Sequence, residues 1–283
     1  MTAFLKLPFV ENGDIVEKLS TGHSKGEKWV VEKNNKKYFL KGTEKSTLQK
    51  SVYKKINQTQ KHLPTIFEEK IVGGKKWTLY EYKQGDIFEK LPLRKVDCLG
   101  ERVGKALQTI SKAKVDLPKS DFGEVEKILK SEIEFYFSKR EDKLPLSKQE
   151  ILLLVDKFST SFKNENIVLI HGDIKPENIV FDKNELYFVD TDGMRYGYFV
   201  FNFEFSLQMF FDRRKRYKNF LWSVVKSFYD QNVPQSFYDN LSFVCIKKFF
   251  NRAKMFIEEN DKKGEEEFVR EFQPIFSYLK KRK

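Results

Sequence analysis

The chain has 283 residues, 40% of them hydrophobic and 15% aromatic, and its 53 Lys and Arg against 41 Asp and Glu give a net charge of +12. This composition indicates a globular protein of one or two domains and excludes a disordered chain. The positive charge favours anionic partners such as nucleotides, phosphorylated metabolites, nucleic acid or an acidic membrane face, although basic residues spread along a chain mostly face water.

The cysteines and the apolar runs exclude further classes. Cys98 and Cys245 lie far apart, without a CxxC pair or neighbouring histidines, so neither a disulfide framework nor a zinc site is predicted, and both thiols are expected in the core. The N-terminal apolar run is too short for a signal peptide, and no stretch approaches the roughly 18 uncharged apolar residues of a membrane-spanning helix. We therefore expect a cytoplasmic protein.

The N-terminal part of the chain carries mostly strand patterns. Residues 14–19, 27–33 and 36–42 predict an antiparallel meander, with Asn34 and Asn35 in a hairpin turn. Further along are a helix with Leu48, Val52 and Ile56 at helical spacing and a hairpin over residues 67–82 that turns at Gly73 and Gly74. These patterns predict a small sheet with one helix.

Beyond Gly85 the apolar period becomes helical. Apolar residues recur on one face at Val96, Leu99, Val103, Leu107 and Ile110. Similar patterns cover residues 124–137 and 148–162, and aromatic-rich helices are predicted up to the C-terminus. One interruption, residues 167–193, has short apolar runs beside polar clusters and predicts two strands bearing loops. The change of period places a hinge near residues 80–86.

Polar residues follow the apolar runs of this interruption. Asp173 and Asn178 lie in the segment HGDIKPEN, residues 171–178, and Asp190 follows the next apolar run. We expect their three oxygen-bearing side chains to meet at one edge. Hard oxygen ligands suit Mg²⁺ that bridges phosphates, because this ion keeps octahedral geometry and takes only one or two carboxylates from the protein. One carboxylate would remain for the nucleophile.

The segment HGDIKPEN resembles the catalytic loop of the protein-kinase-like fold, specifically that of the aminoglycoside phosphotransferase and choline kinase family. The resemblance implies Asp173 as catalytic base, Asn178 as a metal ligand and Asp190 as the main metal aspartate. Glycine at position 172, where protein kinases commonly carry arginine, favours the small-molecule branch. Buried His171 is expected to support the loop through hydrogen bonds.

The same resemblance implies a fold and a division of labour. The fold is α+β and bilobal, with a small β-rich nucleotide-binding lobe over residues 1–82. A larger α-helical lobe over residues 83–283 would carry catalysis and bind the acceptor. ATP is implied as co-substrate and Mg²⁺ as cofactor.

Residues for nucleotide binding are likewise implied by the resemblance. Lys41, at the end of the strand KKYFLK, matches the lysine that pairs with the α and β phosphates. The loop of residues 20–26 would lie over the triphosphate, where Gly22 and Gly26 allow a close backbone approach and Ser24 offers a hydroxyl, as do the neighbouring Ser20 and Thr21.

Two more assignments complete the implied site. The backbone near Glu81 and Tyr82 would bind the adenine edge. Lys175 would donate to the γ-phosphate as negative charge develops on it.

The sequence departs from the family in two places. No acidic residue occurs between Lys45 and Phe67, where the family's helix supplies a glutamate to hold the strand lysine. Glu44 lies near in sequence and Gln49 is near the helix position, so Asp190 or the nucleotide is expected to hold Lys41. After Asp190, Tyr198, Asn202 and Glu204 occupy a region that shapes acceptor specificity, which predicts an unusual substrate.

These residues predict an ATP-dependent phosphotransferase that moves the γ-phosphate to a hydroxyl of a small molecule, such as an amino alcohol, sugar, aminoglycoside-like compound or envelope glycan. Nucleic acid is not expected as a partner, and residues 212–218 are a candidate for peripheral contact with an anionic surface. Two alternatives remain open. A serine/threonine protein kinase is favoured by KPEN but opposed by the lack of a DFG-to-APE segment, and a pseudokinase binding or scaffold module is favoured by the missing helix glutamate. The oligomeric state and the preference between ATP and GTP are open.

Overall fold

The computed structural model divides the chain into two compact units. The described residues are 7–11, 14–19, 26–44, 50–59, 62–85, 91–140, 144–182, 185–211 and 215–282. The units are, first, Met1–Leu91, Lys112–Asp116 and Pro176–Met194 and, second, Pro92–Ser111, Leu117–Lys175 and Arg195–Lys283. The chain thus returns to the first unit at Pro176, inside the segment HGDIKPEN. The assignment of functional lobes to residues 1–82 and 83–283 stays a prediction.

A five-stranded antiparallel sheet forms the frame of the first unit. Its strands are β1 (Ile15–Lys18), β2 (Glu27–Lys33), β3 (Lys36–Thr43), β4 (Ile66–Val72) and β5 (Lys75–Glu81), in the order β1-β2-β3-β5-β4. The predicted meander and second hairpin are confirmed. Asn34 and Asn35 connect β2 to β3, and Gly73 and Gly74 connect β4 to β5, all with positive φ. Two successive positive φ angles match the twist of paired strands.

One helix and a small hairpin complete the first unit. They are α1 (Lys50–Thr59), β7 (Ile179–Asp182) and β8 (Glu185–Phe188). Alternation along the strands buries Val31, Leu40, Trp77 and Leu79 in a common core. This core fixes β3, the strand that carries Lys41.

The second unit is mainly helical. Its helices are α2 (Leu93–Ile110), α3 (Phe122–Lys139), α4 (Lys148–Ser159), α5 (Leu207–Phe211), α6 (Lys215–Phe228), α7 (Gln235–Glu258) and α8 (Lys262–Lys280). Strand β6 (Val168–Ile170) pairs antiparallel with β9 (Arg195–Gly197). The predicted apolar face of α2 is buried throughout. Gly100 lets α6 approach α2 closely, since a Cβ there would lie 2.6 Å from the Phe220 carbonyl oxygen.

Two expectations from the sequence are wrong in detail. Residues 167–193 carry three strands instead of two, because β6 pairs with β9 outside this segment, while β7 and β8 form a separate hairpin. Cys98 is exposed, whereas Cys245 is buried as predicted. The reason lies in the period of α2, which puts Cys98 about 150° around the helix from the face of Val96 and Val103.

No helix in the described part of the chain has both the length and the low charge that a membrane crossing requires.

Candidate active site

Lys41 is the centre of a polar cluster in the first unit. The residue is only 4% exposed, and its ammonium donates to Oδ1 of Asp190 and to Oδ2 of Asp192, each at 2.7 Å. Burial lowers the pKa of Lys41, but Asp192 and Asp190 outweigh burial and hold the pKa above its ordinary value. Lys41 therefore stays charged at neutral pH. The expectation that Asp190 holds it is confirmed, and Asp192 is an additional partner.

A tight turn after β8 presents both carboxylates. Asp190 has a left-handed backbone, with φ 57° and ψ 55°, a conformation that aspartate adopts more readily than most residues. The Met194 backbone N–H donates to the Thr191 carbonyl oxygen at 3.0 Å and closes the turn. The reversal of the chain allows two aspartates only two positions apart to reach the same ammonium.

Helix α1 contributes a phenol to this turn instead of the glutamate that the resemblance implies. A hydrogen bond joins the hydroxyls of Tyr53 and Thr191, and both residues are buried. Burial raises the pKa of the Tyr53 phenol well above its ordinary value, so the phenol keeps its proton. Helix α1 thus contacts the Asp190 turn through a neutral group, and the charge of Lys41 is balanced by the turn itself.

A pocket of about 250 Å³ lies beside the cluster within the first unit. Its lining includes Phe39, Tyr80 and Val189 on the apolar side and Lys41 on the polar side. This mixture of an apolar wall with a few polar groups is typical of small-molecule pockets.

The predicted adenine-binding residues line the same pocket. Glu81 and Tyr82 both contribute to its wall. The Glu81 backbone N–H donates to the Thr65 carbonyl oxygen at 2.8 Å, and its carboxylate forms a 2.7 Å ion pair with Lys83. The Glu81 N–H already has a hydrogen-bond acceptor within the first unit. The adenine edge is therefore expected to bind the backbone after this N–H, near Tyr82.

The donor set of the first unit fits Mg²⁺. Asn178 and Asp190 line the pocket that contains Lys41 and offer an amide and a carboxylate oxygen, the hard ligands that this ion prefers. Asn178 is buried, and its backbone carbonyl oxygen accepts from the Val189 backbone N–H at 2.9 Å. Within the described residues there is no group of three or more His, Cys, Asp or Glu suited to a metal. Mg²⁺ usually takes only a few ligands from the protein, so the two oxygen donors of Asn178 and Asp190 suit it.

In the second unit, residues 171–174 form a loop, here called the HGD loop. Hydrogen bonds to Asn202 hold its backbone. The Oδ1 atom of Asn202 accepts from the backbone N–H groups of His171 at 2.8 Å and Gly172 at 3.1 Å. The Ile174 N–H donates to the Asn202 carbonyl oxygen at 2.7 Å. Gly172 has φ 86°, a backbone conformation that suits glycine and disfavours the arginine of protein kinases. Asn202 therefore fixes the backbone on both sides of Asp173.

His171 has the structural position expected of it. The residue is 1% exposed, and its Nδ1 accepts from the Asp173 backbone N–H at 3.3 Å. An accepting Nδ1 places the proton of a neutral imidazole on Nε2. His171 is thus a packed loop support.

Lys175 forms an ion pair with Asp173, with 3.0 Å between Nζ and Oδ2. The two side chains are partly exposed, so their contact is solvent-screened and contributes little stability. The pair does place a cation beside the carboxylate that the sequence predicts to orient the acceptor hydroxyl.

Several predicted residues lie outside the described part of the chain. Gly22 and Ser24, with the rest of the 20–25 loop, belong to this group, as do Gln49 and residues 212–214 of the basic segment 212–218. Their proposed roles stay predictions.

Three residues of the site were missed or given another role by sequence reasoning. Asp192 looks like a turn former in the tetrapeptide DTDG, Tyr53 looks like a core aromatic on a helix, and Asn202 was grouped with acceptor residues. For Asp192 a signal existed, since a second carboxylate two positions after Asp190 can face the same lysine when the backbone reverses. For Tyr53 and Asn202 the sequence contains none, because their partners are 138 and about 30 residues away.

The chain matches one protein-family model and several solved structures. The model of the APH family, described as the phosphotransferase enzyme family, matches residues 16–217. A thermostable mutant of the aminoglycoside phosphotransferase APH(4)-Ia has a TM-score of 0.68 at 10% identity, with 93% of this chain and 94% of that chain covered. No curated protein matches the chain by sequence.

Two further solved structures have the same fold. Spectinomycin phosphotransferase APH(9)-Ia, in complex with ADP and spectinomycin, has a TM-score of 0.62 at 14% identity over 91% of this chain and 88% of that chain. Amicoumacin kinase hAmiN, in complex with AMP-PNP, Ca²⁺ and Ami, has a TM-score of 0.61 at 15% identity over 93% of this chain and 91% of that chain. The predicted α+β, protein-kinase-like fold is thereby confirmed, as is the predicted enzyme class, a phosphotransferase with an alcohol acceptor. The chain belongs to the APH phosphotransferase family, as the segment HGDIKPEN predicts.

Proposed function

We propose that the chain transfers the γ-phosphoryl group of ATP to a hydroxyl group of a small molecule. The observation that carries the proposal is the double contact of Lys41 with Asp190 and Asp192 beside a pocket lined by Glu81 and Tyr82. Similar structures that hold ADP, or AMP-PNP with Ca²⁺, support a nucleotide in this role.

The residues of the first unit would serve the nucleotide. Asn178 and Asp190 would hold Mg²⁺, which neutralises phosphate charge when bound. Lys41 has three donor hydrogens, and the two aspartates account for two of them. The third is a donor for a phosphate oxygen, while Glu81 and Tyr82 would align the adenine. Gly22 and Ser24 are proposed for the triphosphate from the sequence alone.

The residues of the second unit would serve the acceptor. Asp173 would accept the hydroxyl proton as the acceptor oxygen forms its bond to the γ-phosphorus. The bond from that phosphorus to the β–γ bridging oxygen breaks at the same time, and ADP leaves with the electron pair. Lys175, already paired with Asp173, would donate to the transferring group as its charge spreads over the oxygens.

The direct test is ADP release from Mg²⁺ and ATP with panels of small alcohols and with a generic protein substrate. We expect turnover with a subset of small alcohols. Phosphorylation of the protein substrate alone would identify a protein kinase, and thermal stabilisation by ATP with no ADP release from any acceptor would identify a binding module.

Substitution of Asp173 assigns its role. Asp173→Ala should lower kcat by roughly 100-fold or more, the usual contribution of general base catalysis, while ATP affinity persists. The exposed Asp97 on α2 gives a matched control, and Asp97→Ala should leave both quantities unchanged. Loss of ATP binding in Asp173→Ala would contradict the proposed role and assign the carboxylate to the metal.

A further inference from the structure

Basic side chains of α7 lie near the HGD loop in the second unit. Ser206 anchors residues 203–206 to that loop, since its hydroxyl donates to the Ile174 carbonyl oxygen at 2.7 Å. Glu204 and Phe205, just before this anchor, contact Lys247 and Lys248 of α7. The acceptor side of the loop is therefore bordered by cations of α7.

The carboxylates of this region already have cationic partners. Asp173 pairs with Lys175 at 3.0 Å, and Glu204 pairs with Lys247. Lys248 differs from both lysines, because no carboxylate in the described part of the chain lies within 4.0 Å of its ammonium. One positive charge is thus in excess beside the HGD loop.

Lys248 is also partly shielded from bulk water. It is partly buried, and its ammonium lies 4.6 Å from the centroid of the Phe205 ring. Burial lowers the pKa of Lys248, and the neighbouring charges of Arg252 and Lys247 add to this effect, while Glu204 and Asp173 act in the opposite direction. Through Phe205 and the adjacent Ser206, whose hydroxyl bonds the Ile174 carbonyl oxygen, Lys248 is connected to the loop that carries Asp173. A partly desolvated cation without an ion-pair partner gains most from an anion that arrives with a ligand.

Arg195 and Phe205 add a positive charge and an aromatic surface to the region around Lys248. Arg195 on β9 is also partly buried, and burial lowers its pKa while Glu204 raises it. Phe205 is 62% exposed, and an exposed aromatic ring offers a flat apolar surface to the face of a sugar or another ring. The region therefore combines positive charge with one aromatic platform.

We propose that the acceptor is an anionic alcohol, a ring-bearing or polyol compound with a phosphate or carboxylate group that Lys248 binds. This inference rests on the proposed function and narrows its substrate class. A polycationic acceptor would meet like charge at Lys248 and Arg195 and would be rejected. The anionic group would also hold the acceptor in a fixed orientation relative to Asp173.

Four sugars that differ mainly in charge test the proposal. The probes are glucose, glucose 6-phosphate, glucuronate and glucosamine, with inorganic phosphate as a scaffold-free anion. Calorimetry in low salt should show that at least one anionic sugar binds about tenfold or more tightly than glucose, the range expected for one charge-assisted hydrogen bond. Glucosamine should bind no better than glucose, and added salt should weaken the anionic probe.

Variants of Lys248 assign the effect to this side chain. Lys248→Gln should abolish the preference for the anionic probe without changing ATP affinity, and Lys248→Arg should keep it. Lys254 on the same helix, 3.9 Å from Glu258, is a matched lysine, and Lys254→Gln should behave as wild type.

The outcomes separate this inference from the proposed function. Equal binding of charged and neutral sugars, no binding of any anionic probe including phosphate, or an unchanged preference in Lys248→Gln would overturn the anionic acceptor. ATP binding and basal ATP hydrolysis, measured without acceptor, would persist in each of those cases. Their loss would instead count against the phosphotransferase site.

Discussion

Asn202 offers a sharp test of how the HGD loop is held. Its side-chain Oδ1 accepts from the backbone N–H groups of His171 and Gly172. The residue is 1% exposed, so water does not replace these bonds when the amide is removed. Asn202→Ala therefore leaves two buried donors without an acceptor.

The magnitude follows from these two bonds. A buried donor that loses its acceptor costs about 1–3 kcal/mol, so the variant should lose about 2–6 kcal/mol in free energy of unfolding. A typical domain has only about 5–15 kcal/mol in total. Because the loop carries Asp173, kcat should also fall, by about 100-fold for a misplacement near 1 Å.

Urea denaturation with linear extrapolation measures the stability, and ADP release measures turnover. Asn219→Ala, at an exposed position of α6, is the control and should change neither. Asn202→Asp keeps an acceptor oxygen at the same place and should retain more stability than the alanine variant. A loss below about 1 kcal/mol in Asn202→Ala with unchanged kcat would refute the view that this amide holds the loop.

Three further predictions concern single contacts. Asp192→Asn should lower the free energy of unfolding by about 1.5–3 kcal/mol, because the buried Lys41 ammonium loses one of its charged acceptors; a urea midpoint equal to wild type would contradict the assignment. Tyr53→Phe should lower the free energy of unfolding by about 0.5–1.5 kcal/mol, because the hydrogen bond to Thr191 is lost. The double variant with Thr191→Val should lose less stability than the sum of the two single variants. Strict additivity would show that the two hydroxyls do not interact. Burial raises the pKa of Glu165 above its ordinary value, although Ser236 and Asn240 oppose it, so its contribution to stability is present below the unfolded-state pKa and is lost as pH rises through the folded-state pKa. Glu165→Gln should flatten the stability profile in that window, and an unchanged profile would reject the assignment.

Much of the first unit followed from local sequence signals. The strands over 27–33 and 36–42 and their turns at Asn34–Asn35 and Gly73–Gly74 depend on period and on residues that tolerate positive φ. Such signals act between neighbours in the chain, so a single sequence contains them. Asp190 was found because it follows a short apolar run, and Lys41 was implied by the family resemblance at the end of the strand KKYFLK; the structure joins them at 2.7 Å.

Local sequence signals did not predict the boundaries of the two units. The return of Pro176–Met194 to the first unit depends on which surface the β7–β8 hairpin packs against, and its strand pattern is the same in either unit. Cys98 shows a related limit. Its helix was predicted, but its side chain was expected in the core and lies on the exposed face of α2.

From sequence alone came the fold class, the family and the short polar motifs, because period, turn chemistry and the segment HGDIKPEN are written within a few residues. Only the tertiary structure decided that Asp192 shares Lys41, that Tyr53 bonds Thr191 in the Asp190 turn, and that Asn202 supports the HGD loop. Each of these contacts joins residues at least 30 positions apart. Their partners are selected by how whole elements pack, which no local pattern encodes.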